Sequence, residues 1–142
     1  MRIRKPGKVR DHLWYLGHEE SGIYLLESKS GSMVISGGMA YILPKVLDQL
    51  GIFGIDQASI NKILILHAHF DHIGVVPFFK RSLPSVEIYA SKRAWEILKM
   101  PKAIETINRF SRNVSERMGM LDACAAYDLE CYTNPVLKIS LS

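Results

Sequence analysis

Three histidines and one aspartate fall within six consecutive residues, His67-Ala68-His69-Phe70-Asp71-His72. Imidazole nitrogens and carboxylate oxygens are donors that suit zinc, with iron or manganese as alternatives. Alternate residues of an extended or tightly turned segment project together, so His67 and His69 can chelate one ion while Asp71 and His72 reach a second. Two adjacent ions lower the pKa of water and polarise a substrate oxygen, and hydrolysis is the natural consequence. A chain of this composition would contain such a pattern by chance in roughly two or three of every ten thousand cases. The plain alternative is a solvated loop or a set of satisfied core histidines. Against it, the end of a buried strand is a costly place for four idle polar groups.

The elements that would hold this motif follow from hydrophobic spacing. The unbroken run Ile63-Leu64-Ile65-Leu66 predicts a strand over Lys62 to Leu66 buried on both faces, with the motif at its carboxyl end. Upstream, Leu13 to Leu16 and Ile23 to Leu26 read as two strands joined through Gly17 to Gly22. Met33 to Ile35 reads as a third, ending at Ser36-Gly37-Gly38, and together they make an antiparallel meander. Ile42, Leu43, Val46, Leu47 and Leu50 recur at helical spacing, predicting a helix from Tyr41 that stops at Gly51 and keeps Pro44 in its first turn. Gly74 to Lys80 fits a short helix and Val86 to Ala90 a strand. Ser91 fits an N-cap for a helix to Met100.

Beyond Pro101, the apolar positions Ile104, Ile107, Phe110, Val114, Met118 and Leu121 predict one long amphipathic helix whose stripe packs into the core. Val136 to Leu141 opens a further strand. Strands first, then alternation of helix and strand, predict an α/β sandwich layer.

Composition bounds the rest. A chain of 142 residues, 48% of them hydrophobic, is the size of one domain, residues 1–142. The formal charge of +4 owes much to Arg2, Arg4, Lys5, Lys8 and Arg10, a basic arm over residues 1–10 read as a solvated terminus. No apolar run suits a signal peptide or a membrane span, which leads us to expect a cytoplasmic protein. Cys124 and Cys131 are too few for a disulfide framework and are expected to be reduced.

The stretch Ile63-Leu64-Ile65-Leu66-His67-Ala68-His69-Phe70-Asp71-His72-Ile73-Gly74, with the meander, Gly37-Gly38 and the Tyr41 helix before it, resembles the metallo-β-lactamase-fold hydrolases from about Leu13 onward. The resemblance implies an αββα sandwich, with His67 and His69 in a first metal site and Asp71 and His72 in a second. It further implies zinc in two ions, a small-molecule substrate, and Asp71 acting on the proton of the attacking water. Ester, thioester, lactone and phosphodiester substrates all occur in such a family.

The chain departs from that pattern in two places. The family commonly carries an aspartate at the end of the third meander strand, supporting a ligand histidine, and Ser36 stands there without its charge. A complete family site also takes further histidines and a bridging carboxylate from the second half of the fold, whereas no histidine follows His72. Of the others, His12 and His18 read as surface or strand-end residues; Asp122, Asp128 and Glu130 read as solvated carboxylates.

The expectation is therefore the amino-terminal half to two-thirds of the sandwich, a truncated domain. Such a half leaves one sheet face uncovered, to be met by a homodimer or by a missing carboxyl-terminal half. Two function classes follow: a metal-dependent hydrolase, or a catalytically silent module acting through weak metal binding or self-association. A nuclease has only the basic arm in its favour.

Overall fold

A computed structural model describes residues 5–127. Six strands form one sheet in chain order: β1 (Gly7–Arg10), β2 (Leu13–Gly17), β3 (Gly22–Ser28), β4 (Gly31–Ile35), β5 (Ile60–Leu64) and β6 (Glu87–Tyr89). The first four run as an antiparallel meander, and β5 and β6 then add in parallel. The helices are α1 (Leu43–Ile52), α2 (Val76–Ser82), α3 (Lys92–Leu98), α4 (Pro101–Arg117) and α5 (Leu121–Tyr127). The α/β class read from the sequence is the one observed. Among the described residues no helix is long and apolar enough to cross a membrane.

Strand register sorts the sheet into two unlike faces. Leu25, Val34, Ile63 and Ile88 pair across four neighbouring strands, and each is buried. This row joins one core cluster with Leu43 and Val46 of α1, Phe79 of α2, Trp95 of α3 and Ile107 of α4. The opposite face carries the row Tyr24, Ile35, Leu64 and Tyr89. These side chains are half-buried and none belongs to the core cluster. Among the described residues, one side of the sheet is covered by helices and the other keeps an apolar, partly open surface.

That asymmetry corrects the reading of β5 as buried on both faces. Ile63 is fully buried and Leu64 half-buried, because the covered and open faces alternate along the strand, whereas Leu66, 49% exposed, lies past the strand's end at Leu64.

Other boundaries shifted for local reasons. Part of the basic arm is strand β1, with Lys8 Nζ 5.7 Å from the centre of the Trp14 ring. The helix expected from Tyr41 begins with a 3-10 turn over Ala40–Ile42. It runs on through Gly51 to Ile52, and the left-handed residue that follows is Gly54 (φ 67°). The long helix after Pro101 is two helices, since Gly119 takes φ 69° between them. Asp122 is exposed in the first turn of α5, as expected of a solvated carboxylate. The strand expected at Val136 to Leu141 lies outside the described residues, as do Asp128, Glu130, Cys131 and residues 1–4 of the arm.

One polar device ties the meander to the helical layer. The buried Gln49 side chain of α1 accepts from the Gly17 N–H at 2.7 Å and donates to the Gly17 carbonyl at 3.0 Å. Both backbone groups at the end of β2 are thereby satisfied where no strand partner reaches them.

Candidate metal centre

The motif starts where β5 ends, at the carboxyl end of the parallel part of the sheet, where strand ends and their loops form a natural crevice. Along His67-Ala68-His69 the chain is extended enough to alternate: both histidines are exposed and Ala68 is buried. A 3-10 turn over Phe70–His72 then reverses direction, closed by the His72 N–H donating to the His69 carbonyl at 3.0 Å.

Two glycine segments hold this turn in place. The Gly74 N–H donates to the Gly38 carbonyl at 2.8 Å, and the Val75 N–H to the Gly37 carbonyl at 3.0 Å. The two backbones lie so close that a Cβ on Gly37 would sit 2.6 Å from the His72 carbonyl oxygen. A Cβ on Gly74 would collide with the backbone of Met39 and Ala40. Glycine is required at both positions by the approach of the loops rather than by a turn type.

The turn gathers the motif's side chains. The His67 ring centre lies 5.0 Å from that of His72 and 5.9 Å from that of His69. Asp71 Oδ2 lies 3.7 Å from His72 Nε2, with both side chains partly open to solvent. Metal–nitrogen bonds of about 2.0–2.1 Å put the centres of two imidazoles sharing an ion about 5–6 Å apart, so the ring spacing suits shared coordination. Among the described residues, however, no three of these groups converge on one point that could hold an ion. By donor chemistry and ring spacing the residues fit part of a metal site.

Ser36 reaches the same cluster. It is buried at the end of β4 in a left-handed conformation (φ 69°), and its N–H donates to the Leu64 carbonyl at 2.9 Å. Its Oγ lies 3.2 Å from His72 Nδ1. The position flagged by the sequence is therefore in contact with a motif histidine, through a hydroxyl instead of a carboxylate.

The two remaining histidines stay away from this contact set. His12 is exposed with φ 67° in the turn between β1 and β2. His18 packs edge-on against Tyr41, 5.2 Å between ring centres, and lies 3.5 Å from Glu20. The Tyr41 hydroxyl donates to Glu20 at 2.8 Å. Burial, then the bond to Glu20, pushes the Tyr41 phenol well above its ordinary pKa.

Beside the motif opens a cavity of about 630 Å³, with His69 and Asp71 in its lining. Its other walls come from α3 and α4, through Ile97, Ile107 and Phe110, together with Phe70 of the motif turn. The stripe of α4 packs into the core at Ile104 and Ile107, as its spacing predicts, whereas Phe110 of the same stripe does not. The signal available was Phe110, on the stripe yet set between Arg109 and Arg112 in the middle of α4. It proves 44% exposed, with its ring 5.6 Å from that of Phe70.

Comparison with known proteins follows the same lines. A family model described as the metallo-beta-lactamase superfamily matches residues 19–107. Among solved structures, a metallo-beta-lactamase mutant from Cronobacter sakazakii is similar at 26% identity and a TM-score of 0.62, over 68% of this chain and 38% of that one. A metallo-beta-lactamase from Novosphingobium pentaromativorans is similar at 28% identity and a TM-score of 0.57, over 68% of this chain and 34% of that one. A subclass B3 metallo-beta-lactamase of Bradyrhizobium japonicum shares the fold at 24% identity and a TM-score of 0.62, over 68% of this chain and 36% of that one. The chain thus spans little more than a third of the length of each of these proteins.

Proposed function

The chain belongs to the metallo-beta-lactamase superfamily, and from that premise we propose that it works as a metal-dependent hydrolase with a binuclear centre built on His67, His69, Asp71 and His72. The observation that carries this reading is the gathering of three imidazoles and a carboxylate at the end of β5, beside a cavity that His69 and Asp71 help to line. His67 and His69 hold one ion, Asp71 and His72 the other. Zinc is the first expectation from the donor types, with iron and manganese as alternatives. When bound, the ions supply a lowered water pKa and polarisation of the substrate oxygen.

The chain's own residues supply the rest. Asp71, half-buried and facing the cavity, takes the proton of the attacking water. Ser36 orients the His72 ring through Nδ1. Further metal donors come from outside the described residues, and a second copy meeting the open sheet face is one source. The apolar row Tyr24, Ile35, Leu64 and Tyr89 supports such a contact. The substrate is a small ester, thioester, lactone or phosphodiester. A reducing, cytoplasmic compartment belongs to the same reading, supported by a chain with two cysteines instead of a disulfide framework.

The test is hydrolysis of generic thioester, lactone and phosphodiester substrates by the zinc-loaded chain, compared with Asp71→Asn. Turnover of one class that chelation abolishes and Asp71→Asn lowers at least about a hundredfold supports the reading. Turnover of none, or turnover indifferent to both treatments, contradicts it.

A further inference from the structure

The cavity beside the motif is more specific than a generic crevice. Its volume of about 630 Å³ lies within the range of small-molecule sites, roughly 300–1,000 Å³. Ile97, Ile107, Phe70 and Phe110 give it apolar walls, so it favours a hydrocarbon or aromatic body over a sugar or a nucleotide. Phe110 is held against Phe70 although it is 44% exposed, so an apolar surface is kept open next to the motif.

Two polar groups of α4 break that apolar lining. Thr106 is half-buried, and its hydroxyl donates to the Lys102 carbonyl at 2.9 Å, which leaves the oxygen free to accept. Lys102 is exposed at the edge of the cavity and makes no ion pair among the described residues. Asp71 is the one acid in the lining, and under the proposed function it is taken up by metal. The cavity therefore joins a reacting end at His69 and Asp71, an apolar body, and an unmatched positive charge.

We infer that this cavity seats the apolar chain of a substrate that also carries a carboxylate, with the carboxylate held by Lys102 at the edge. The inference rests on the reading of the motif as the reacting centre and adds the substrate class to it. Fatty acyl and arylalkanoyl compounds with a free acid group fit that description. Phosphodiesters of nucleic acid do not, because Lys102 is the one lysine or arginine in the lining and no row of positive charge follows a phosphate backbone.

The test uses the full chain and three probes, octanoate, octanamide and acetate, with affinities from titration calorimetry. Octanoate is expected to bind about fivefold more tightly than octanamide, and acetate not measurably. Lys102→Glu should erase the preference for octanoate over octanamide, and Lys102→Arg should keep it. Thr106→Trp should block octanoate and octanamide alike by filling the cavity. Phe110→Ala, at an exposed position that leaves the core intact, should weaken both even if the tryptophan variant fails to fold. Equal binding of octanoate and octanamide, or indifference to Lys102→Glu and Phe110→Ala, overturns the inference. Zinc uptake by the same preparation separates the two levels. A chain that binds zinc but fails these probes loses the substrate class alone. A chain that binds no zinc loses the hydrolase reading, and the cavity's assignment as a substrate site falls with it.

Discussion

The hydroxyl of Ser36 lies 3.2 Å from Nδ1 of His72, which makes the end of β4 a support for a motif imidazole. A hydroxyl there orients the ring but adds no charge to the histidine it touches. Replacement by aspartate suits the backbone, because φ 69° is tolerated better by aspartate than by most residues. Ser36→Asp is predicted to raise zinc affinity by about tenfold, and Ser36→Ala to lower it severalfold. Competition with a chromogenic chelator measures both.

The glycines that join the two loops predict a stability effect tied to function. Gly74→Ala forces a Cβ into the backbone of Met39 and Ala40, and Gly37→Ala forces one against the His72 carbonyl. Each is expected to destabilise the fold by about 1–3 kcal/mol and to impair zinc uptake, since the same contact shapes the turn over Phe70–His72. Gly51→Ala, where a Cβ meets open space within α1, is the control and should be neutral or slightly stabilising. Urea unfolding of the three variants decides this.

Much of this arrangement was legible in the sequence because the signals are local. Short apolar runs set off by glycine-bearing turns marked β2, β3 and β4, spacing of three and four marked α1, and the motif's position after β5 followed from the Ile63 run. What escaped depends on contacts far apart in the chain. Leu64 looked like core because its neighbours are apolar, yet it belongs to the sheet face without a helical layer. Phe110 looked like core because it sits on an apolar stripe, yet α4 carries it over a cavity shared with Phe70. The close approach of Gly37 and Gly74 is likewise a property of two loops and not of either segment alone.

Gln49 provides a test of the scaffold apart from the motif. Its amide satisfies the N–H and the carbonyl of Gly17, and all of these groups are buried. Gln49→Leu leaves both unpaired and is predicted to cost about 2–4 kcal/mol. Chemical denaturation should show this as a lower midpoint with an unchanged slope.

The His18 cluster predicts a pH dependence. Burial lowers the His18 pKa, against the opposing pull of Glu20, and Lys45 adds to the lowering. The unfolded chain then takes up its proton first as pH falls, so the contribution of His18 is present above about pH 6.5 and is lost as pH drops below it. Burial alone would raise the Glu20 pKa, but the Tyr41 hydrogen bond, the Glu20 backbone N–H and the nearby His18 and Lys45 lower it overall, so its contribution is also lost in acid. The melting temperature should fall between pH 7.5 and pH 5.5, and His18→Gln should reduce that fall. An identical fall in both proteins counts against the assignment.

We propose that His67, His69, Asp71 and His72 hold metal. Equilibrium dialysis against buffered micromolar zinc, followed by elemental analysis of the chain and of His69→Ala, tests it most directly. Zinc is expected to stay on the unaltered chain and to be largely lost from the variant, with both proteins equally folded by circular dichroism. No zinc on the unaltered chain, or equal zinc on both, would contradict it.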